Sequence, residues 1–391
     1  MKWFFVILKF SCLCFWSCQD PKPKRSPKSK APIVSQRISA LPKEVKYPAN
    51  NPSSPEKELL GKLLFYDPIL SGNKDISCAS CHHPSTGYAE FLDISIGTNG
   101  HGLGSERAFG TPNDIPLGKR NAPTVINSAF NGMDTYGVYD PEKAPMFWDD
   151  RVQSLENQAL EPIKTLEEMR GNTHGDTEIL EVVVDRLRQI PEYQKLFKEA
   201  FGNSEAITAE NLGRAIASFE RTLVTNNSRF DEYMRGDETA IYASEKEGFE
   251  LFKKVGCATC HNGPMFSDYK PHVLGVPKNS KLKLIDKGVG DTFAFRTPTL
   301  RNLRYTAPYM HNGSIKTLKQ VMEFYEDIAS GKVRNPEVAP ERYDPLVREI
   351  KLSVKDMSQI ISFMNTLNDP SFDKEIPRSV PSGLPVGGAI Q

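Results

Sequence analysis

Two copies of one cysteine motif carry the clearest chemistry in the sequence. Cys-x-x-Cys-His occurs once within SCASCHHP and once within GCATCHNG. The residues concerned are Cys78, Cys81 and His82 in the first copy and Cys257, Cys260 and His261 in the second. This spacing is typical of c-type haem attachment, in which both thiols form thioethers and the histidine ligates the iron. A zinc or redox dithiol site is the alternative, but neither requires a histidine at that fixed place. The sequence therefore predicts two covalently bound haems.

The first residues of the chain have the pattern of an export signal. Within residues 1–18, Lys2 is followed by an apolar run that is too short to span a bilayer comfortably. The segment CFWSCQD also resembles a bacterial lipoprotein signal, in which a lipidated Cys18 would anchor the mature protein; plain cleavage is the alternative. Residues 19–45, rich in Pro, Lys and Ser, are predicted to form a flexible linker. We expect a periplasmic or otherwise exported protein.

Composition excludes some classes of function. The 391 residues include 49 Lys plus Arg and 49 Asp plus Glu, so the net charge is zero and nucleic-acid binding is disfavoured. The cysteines that remain after the export signal all lie in the two motifs, so a disulfide framework is not expected.

Helix patterns around the motifs repeat along the chain. Ser54 and Pro55 predict a helix start before the first motif, and Ser244 with Glu247 predicts a capping box before the second. Both helices contain Gly-x-x-Leu-Phe, and amphipathic helices in ITAENLGRAIASFERTL and LSVKDMSQIISFMNTL close each half. Residues 92–122 and 262–300 are predicted to be long loops.

The predicted fold class is mainly α, with two cytochrome c-like domains that each carry one c-type haem. The expected N-terminal domain covers residues 46–238, and the expected C-terminal domain covers residues 239–375. Residues 376–391 would form a tail.

Three long strings outside the motifs resemble the bacterial di-haem cytochrome c peroxidase family, including its MauG-type branch. These strings are RNAPTVIN, FWDDRVQSLENQALEPIKTLEEM and FRTPTLRNLRYTAPYMHNGSIKTLKQVMEFY. The resemblance covers residues 50–370. It implies that hydrogen peroxide reacts at the N-terminal haem and that a small donor protein, a cytochrome c or a cupredoxin, supplies electrons to the C-terminal haem. A second copy of the chain is a further candidate partner.

The resemblance also assigns catalytic residues. Trp148 matches the tryptophan that the family places between the two haems. Gln158 and Glu168 match the family's pair on the peroxide side, where a carboxylate can accept a proton from peroxide and return it to the leaving oxygen. A half-buried core Trp and a surface acid are the ordinary interpretations of Trp148 and Glu168 taken alone.

A calcium ion between the domains is a further implication of the resemblance. Asn121 would contribute its side-chain oxygen, and Thr306 and Pro308 would contribute backbone carbonyls. Oxygen ligands suit a hard cation. From the sequence alone, a turn capped by Asn121 explains that residue equally well.

Two positions depart from the pattern of other family members. Thr98 stands where these members carry a removable histidine ligand, and His101 follows three residues later, so an open peroxide site is expected. On the far side of the second haem, Tyr325 matches the ligand of the MauG-type branch, with Met322 and Met310 as rivals. The resulting hypothesis is a di-haem peroxidase; a MauG-type oxidase that modifies a partner protein and a non-catalytic electron carrier are the alternatives.

Overall fold

The computed structural model describes residues 1–3 and 37–390. The predicted export signal, Cys18 and the linker up to residue 36 therefore fall almost entirely outside the described residues. Within the described ranges, the search for a helix long and apolar enough to cross a membrane finds none.

Helices dominate the regular structure, as the sequence predicts. In the N-terminal half they are α1 (Pro55–Tyr66), α2 (Cys78–Cys81), α3 (Leu155–Gln158), α4 (Glu161–Lys164), α5 (Ile179–Arg188), α6 (Pro191–Phe201) and α7 (Ala209–Glu220). They continue with α8 (Arg229–Met234), α9 (Ala243–Lys254), α10 (Leu318–Ala329) and α11 (Val354–Asn365). A π-helical turn spans Leu166–Arg170.

The strands are short and form antiparallel pairs within the long loops. The pairs are β1 (Gly100–His101) with β2 (Ala108–Phe109), β3 (Pro145–Met146) with β4 (Val152–Gln153), and β5 (Pro271–Val273) with β6 (Ala294–Arg296). Further 3₁₀ turns lie at Pro68–Leu70, Pro84–Thr86, Gly104–Glu106, Ser128–Phe130, Cys257–Thr259, Leu303–Tyr305, Pro340–Arg342 and Pro345–Glu349.

Two pairs of helices cross at the glycines of the repeated Gly-x-x-Leu-Phe segments. In α1, a Cβ on Gly61 would lie 1.9 Å from the carbonyl oxygen of Ala215 in α7. In α9, a Cβ on Gly248 would lie 2.1 Å from the carbonyl oxygen of Gln359 in α11. The missing side chains let the backbones approach, so each motif follows a helix that is held tightly against the closing helix of its half.

Each helix pair has its own hydrophobic core. The first core consists mainly of residues between Leu60 and Leu223 and includes Phe65 against Phe219, with ring centroids 5.3 Å apart. The second core includes Phe252 against Phe363, also 5.3 Å apart. The chain passes from the first core to the second between Leu223 and Phe230, before the boundary expected at residue 238.

Each end of the long described range packs against the opposite half of the protein. Ile38 packs into the second core, and the amide of Leu41 donates to Asp231 at 2.9 Å. At the other end, Phe372 packs into the first core, and Ser80 donates to the carbonyl of Gly387 at 2.7 Å. Residues 37–45 therefore pack as part of the fold and do not behave as the predicted linker.

The helix-start predictions have different outcomes. The start at Ser54 and Pro55 is confirmed. The capping box at Ser244 is wrong, because α9 begins earlier, after Tyr242, whose amide donates to Glu245 at 2.8 Å. Glu245 is held there by a two-fold hydrogen bond from Arg229.

The glycine crossings lead to a stability prediction. Gly61→Ala and Gly248→Ala should each lower the melting temperature of the holoprotein, because the added methyl group would overlap a backbone carbonyl. A loss of about 1–3 kcal/mol is typical of such overpacking. Gly175→Ala is the matched control, since its Cβ would meet the flexible Glu178 side chain at 3.6 Å. Equal melting temperatures for all three variants would contradict this account of the crossings.

Candidate active site

One cavity of about 600 Å³ receives both cysteine motifs. This volume lies within the range of small-molecule and cofactor sites, about 300–1,000 Å³. The cavity is lined by all the predicted site residues, namely Cys78, Cys81, His82, Asn121, Trp148, Gln158, Glu168, Cys257, Cys260, His261, Thr306, Pro308 and Tyr325. Residues that are far apart in the sequence therefore share one enclosed space.

The first motif is held by a helix turn and a backbone hydrogen bond. Cys78 and Cys81 bound α2, which places both sulfurs on the side of the turn that faces the cavity. His82 follows immediately, and its Nδ1 lies 3.0 Å from the carbonyl oxygen of Tyr88. Because that carbonyl can only accept, Nδ1 carries the hydrogen and Nε2 is left as the ligating atom.

The second motif repeats this arrangement on different local structure. Cys257 begins a 3₁₀ turn, and Cys260 and His261 follow it. His261 Nδ1 lies 2.9 Å from the carbonyl oxygen of Phe266. Burial lowers the pKa of His82 and of His261, so both imidazoles stay neutral, which is the form that binds a metal.

The residues of both motifs fit covalently attached haem. The four cysteines of the described residues are free of disulfides. Burial raises the pKa of Cys78 and of Cys257 to about 12, so both are neutral thiols near neutral pH. Each pair of thiols is accompanied by one imidazole with an available Nε2, as a c-type haem requires.

Glu168 is a partly buried acid on the N-terminal side of the cavity. It lies on the π-helical turn, and Gln158, at the end of α3, lines the same cavity. Burial raises the pKa of Glu168 to about 7, against the opposing effect of the Arg151 guanidinium. A carboxyl group with this pKa can both accept and donate a proton near neutral pH.

Trp148 is held by residues from both halves of the chain. Its indole Nε1 donates to the carbonyl of Asn121 at 3.0 Å. Its own carbonyl accepts from the amide of Arg296 at 2.8 Å, and Arg296 Nε donates to Phe147 at 2.8 Å. The indole is thus fixed where the N-terminal loop meets β6.

The expected calcium ligands converge on the same region. The side-chain amide of Asn121 donates to Leu92 at 2.6 Å, and its backbone amide donates to His311 at 2.8 Å. Among the described residues no hydrogen bond ends on Asn121 Oδ1, which suits a cation ligand. Thr306 and Pro308 also line the cavity, and both belong to the segment that leads to His311. The donor set consists of neutral oxygens, which is compatible with calcium that retains bound water.

Tyr325 and Met322 both line the cavity from α10. Met322 is 4% exposed and belongs to the second core, whereas Tyr325 packs between the second core and a smaller cluster around Phe324. Burial raises the pKa of the Tyr325 phenol, so a phenolate at this place would require a directly bound cation. Met310 also lines the cavity, so all three candidate ligands remain within it.

His101 is placed away from the cavity. It is exposed and lies in β1, paired with Ala108 of β2. Thr98 is fully buried, and its side chain donates to Asp75. The cavity lining includes Ser95 and Gly97 of this loop but neither Thr98 nor His101.

His311, Arg120 and Asp149 lie within the family strings, but those strings did not indicate which contacts their side chains make. His311 stacks on Phe295 with ring centroids 3.6 Å apart, and burial lowers its pKa to about 3. The Arg120 guanidinium lies over the Phe295 ring. It forms salt bridges to Asp149 at 2.7 Å and to Asp286 at 2.5 Å. The aspartates and the arginine come from distant segments, so only the fold brings them together.

His272 lies outside the family strings, and the sequence left it unassigned. Its ring nitrogens lie 2.6 Å from Asp344 and 3.0 Å from Asp268. Burial works against the imidazolium, but the flanking carboxylates hold the pKa of His272 well above its usual range. The side chain lines the cavity beside the second motif.

Comparison with known proteins identifies the family. The family model described as di-haem cytochrome c peroxidase matches residues 55–239. MauG of Methylorubrum extorquens is 36% identical over 331 residues, covering 83% of this chain and 82% of that protein. Cytochrome c551 peroxidase of Nitrosomonas europaea is 35% identical over 341 residues, covering 85% and 86%. The chain belongs to the di-haem cytochrome c peroxidase family.

A solved structure supports this assignment at the level of the fold. The crystal structure of a MauG-like protein associated with microbial copper homeostasis matches with a TM-score of 0.67 at 28% identity. The match covers 84% of this chain and 95% of the other. As a member of the di-haem peroxidase family the chain is an oxidoreductase, and its haem motifs are those that the family implies.

The ligand on the far side of the second haem can be tested by matched substitutions in this di-haem peroxidase. If Tyr325 binds the iron, Tyr325→Phe should remove a phenolate-to-iron absorption band and raise the reduction potential, since a phenolate stabilises ferric iron. Met322→Leu should leave the spectrum and potential unchanged. A changed spectrum in Met322→Leu together with an unchanged one in Tyr325→Phe would assign the ligand to Met322.

Proposed function

We propose that this protein reduces hydrogen peroxide to water with electrons from a small redox protein. The overall reaction consumes one peroxide, two electrons and two protons and yields two waters. The observation that carries this proposal is the cavity that joins both cysteine motifs to a partly buried acid, Glu168, whose pKa is raised to about 7. An electron carrier has no use for such an acid, and membership of the family as an oxidoreductase also disfavours that alternative.

The haems, when attached at both motifs, supply the redox chemistry, and the chain handles protons and orientation. Glu168 accepts the proton of the incoming peroxide and returns it to the oxygen that leaves as water. Gln158, on the adjacent helix turn, orients the peroxide by hydrogen bonding. His82 and His261 would hold the irons through Nε2, since each Nδ1 is engaged with a carbonyl.

Trp148 provides the connection between the two haem sites. It lines the cavity that both motifs share. Its indole donates to the Asn121 carbonyl, and its backbone carbonyl accepts from the Arg296 amide. A rigid aromatic ring between two redox groups shortens the path of electron transfer. Electrons enter at the His261 site and cross by way of Trp148 to the His82 site.

A calcium ion at Asn121, Thr306 and Pro308 belongs to the same proposal. The Asn121 carbonyl accepts from Trp148, and the Asn121 amide donates to His311. A cation bound by the Asn121 side chain would therefore stiffen the loop that orients the indole. The proposed setting of the enzyme is periplasmic or otherwise exported, where a cytochrome c or a cupredoxin serves as donor.

A MauG-type oxidase is the second candidate function. Tyr325 lines the cavity on the side of the second motif, and MauG of Methylorubrum extorquens is a 36% identical relative. A phenolate ligand would lower the potential of the second haem and favour storage of oxidising power over turnover with a donor. The exposed position of His101 suits either function, because both need an open peroxide site.

Rapid mixing of the holoprotein with peroxide separates the candidates. With reduced cytochrome c or cupredoxin present, fast oxidation of the donor is expected for the peroxidase. A long-lived oxidised state without donor turnover would indicate the MauG-type oxidase, and an absent reaction would leave only an electron carrier. Repetition after chelation, with loss of activity that calcium restores, is the expected result for the cation site.

Glu168 should control the pH dependence of the reaction with peroxide. Its carboxylate is the proton acceptor, so the rate should fall as the pH decreases through about 7, the value to which burial raises the pKa. Glu168→Gln should slow the reaction by about 10²–10⁴-fold, the usual contribution of a general acid–base, and should abolish this pH dependence.

Glu181→Gln is the matched control for that substitution. Glu181 lies on α5, pairs with Arg188, does not line the cavity and is not among the charges that shift the pKa of Glu168. Wild-type rates in the control and two haems in both variants are expected. A wild-type rate in Glu168→Gln would remove Glu168 from the mechanism.

A further inference from the structure

The turn that carries Glu168 is in direct backbone contact with the loop of residues 96–102. The amide of Thr98 donates to the carbonyl of Glu168 at 2.7 Å. A Cβ on Gly97 would lie 2.2 Å from the carbonyl oxygens of both Glu167 and Glu168. The loop and the turn can approach this closely only because residue 97 has no side chain.

Asp75 holds the loop in this position from its other side. Its Oδ2 accepts from the Thr98 hydroxyl at 2.9 Å and from the amide of Asn99 at 2.7 Å. Its Oδ1 accepts from the hydroxyl of Ser71 at 3.1 Å. Thr98 is fully buried, so its hydroxyl has no access to solvent as an alternative partner. We call Asp75, Thr98 and Asn99 the Asp75 clamp.

Gly72, which lies close before Asp75 in the chain, contacts the turn that carries Glu168 directly. The amide of Gly72 donates to the carbonyl of Met169 at 2.8 Å, and a Cβ on Gly72 would lie 1.9 Å from the carbonyl oxygen of Arg170. The turn is therefore held at two successive carbonyls, by Thr98 at Glu168 and by Gly72 at Met169.

A buried arginine fixes the rest of the loop. Arg107 donates to the carbonyls of Ile96 at 2.6 Å, Gly97 at 3.0 Å and Gly102 at 3.0 Å. Its side chain is fully buried, with the carboxylate of Glu90 3.6 Å away. The hydrogen bonds of Asp75 and Arg107 therefore hold the loop in its position.

We propose that the Asp75 clamp positions Glu168 for proton transfer, so that Asp75 and Thr98 are positioning residues that act through the Glu168 backbone. The inference rests on the proposed function, because it assumes that Glu168 exchanges protons with peroxide. Neither Asp75 nor Thr98 lines the cavity, so their effect reaches the site only through the contact between loop and turn. A displacement of about 1 Å of a reacting group can cost about a hundredfold in rate.

Thr98→Val tests the clamp with the smallest change. It removes the hydroxyl that donates to Asp75 and keeps the size of the side chain. The reaction of the holoprotein with hydrogen peroxide should slow about ten- to a hundredfold with both haems attached. The fall in rate at acid pH should also move to lower pH, because a displaced Glu168 is less buried. Thr98→Ser, which restores a hydroxyl, should recover the wild-type rate and pH profile.

Asp75→Ala and Thr239→Val complete the series. Asp75→Ala removes the acceptor and should reproduce the effects of Thr98→Val. Thr239→Val makes the same change to an exposed residue whose hydroxyl donates to the carboxylate of Asp237 at 2.7 Å, and it should behave as wild type. If Asp75→Ala fails to fold, the Thr98 pair alone decides the question.

The outcomes distinguish the clamp from the proposed function. Wild-type rates and pH profiles in Thr98→Val, with Glu168→Gln slow, would overturn the clamp and leave the proposed function intact. Equal slowing in Thr98→Val and Thr98→Ser would also overturn it, because the hydroxyl would then have no part. A wild-type protein that does not react with peroxide would overturn the proposed function itself.

Discussion

The close approach of two helix backbones at a glycine, made once in each half of the chain, is the constraint on which the site depends. Gly61 meets α7 and Gly248 meets α11. The second motif closely follows the end of α9, and the first follows α1 after the 3₁₀ turn Pro68–Leu70, so the crossings anchor the helices that lead into both motifs. Nearby carbonyls then orient the two imidazoles, at Tyr88 and Phe266. A shift at either crossing would displace a motif relative to the cavity.

Around Trp148 the contact between the halves is polar and is made by loops, whereas the cores of the halves are apolar and are built mainly from helices. Asn121 connects Trp148 to His311, and Arg296 reaches from β6 to the backbone on either side of the indole. Arg120 bridges Asp149 and Asp286 in the same region. Directional hydrogen bonds fix an aromatic ring more closely than apolar packing does, which suits a residue whose position sets the rate of electron transfer.

Burial gives the titratable groups of the site their protonation states. The two motif imidazoles and His311 are neutral because desolvation disfavours their cations. Glu168 has a pKa of about 7 for the corresponding reason, since desolvation disfavours its anion. His272 is the exception, because Asp268 and Asp344 stabilise its cation from both sides. The same cavity thus supplies neutral ligands, two acids whose pKa lies near neutrality, Glu168 and Glu220, and an imidazolium at His272.

The sequence by itself determined the attachment motifs, the helical class, the helix start at Ser54 and, through the family strings, the set of residues that line the cavity. These are local or linear features, since Cys-x-x-Cys-His and a helix cap are complete within a few residues. Only the tertiary structure decided the rest. It moved the start of α9 to Tyr242, because Arg229 engages Glu245, and it packed residues 37–45 onto the second half. It also joined His272 to Asp344, Arg120 to Asp286 and Asp75 to Thr98. Such pairs depend on how distant segments meet, and no spacing along the chain encodes that distance.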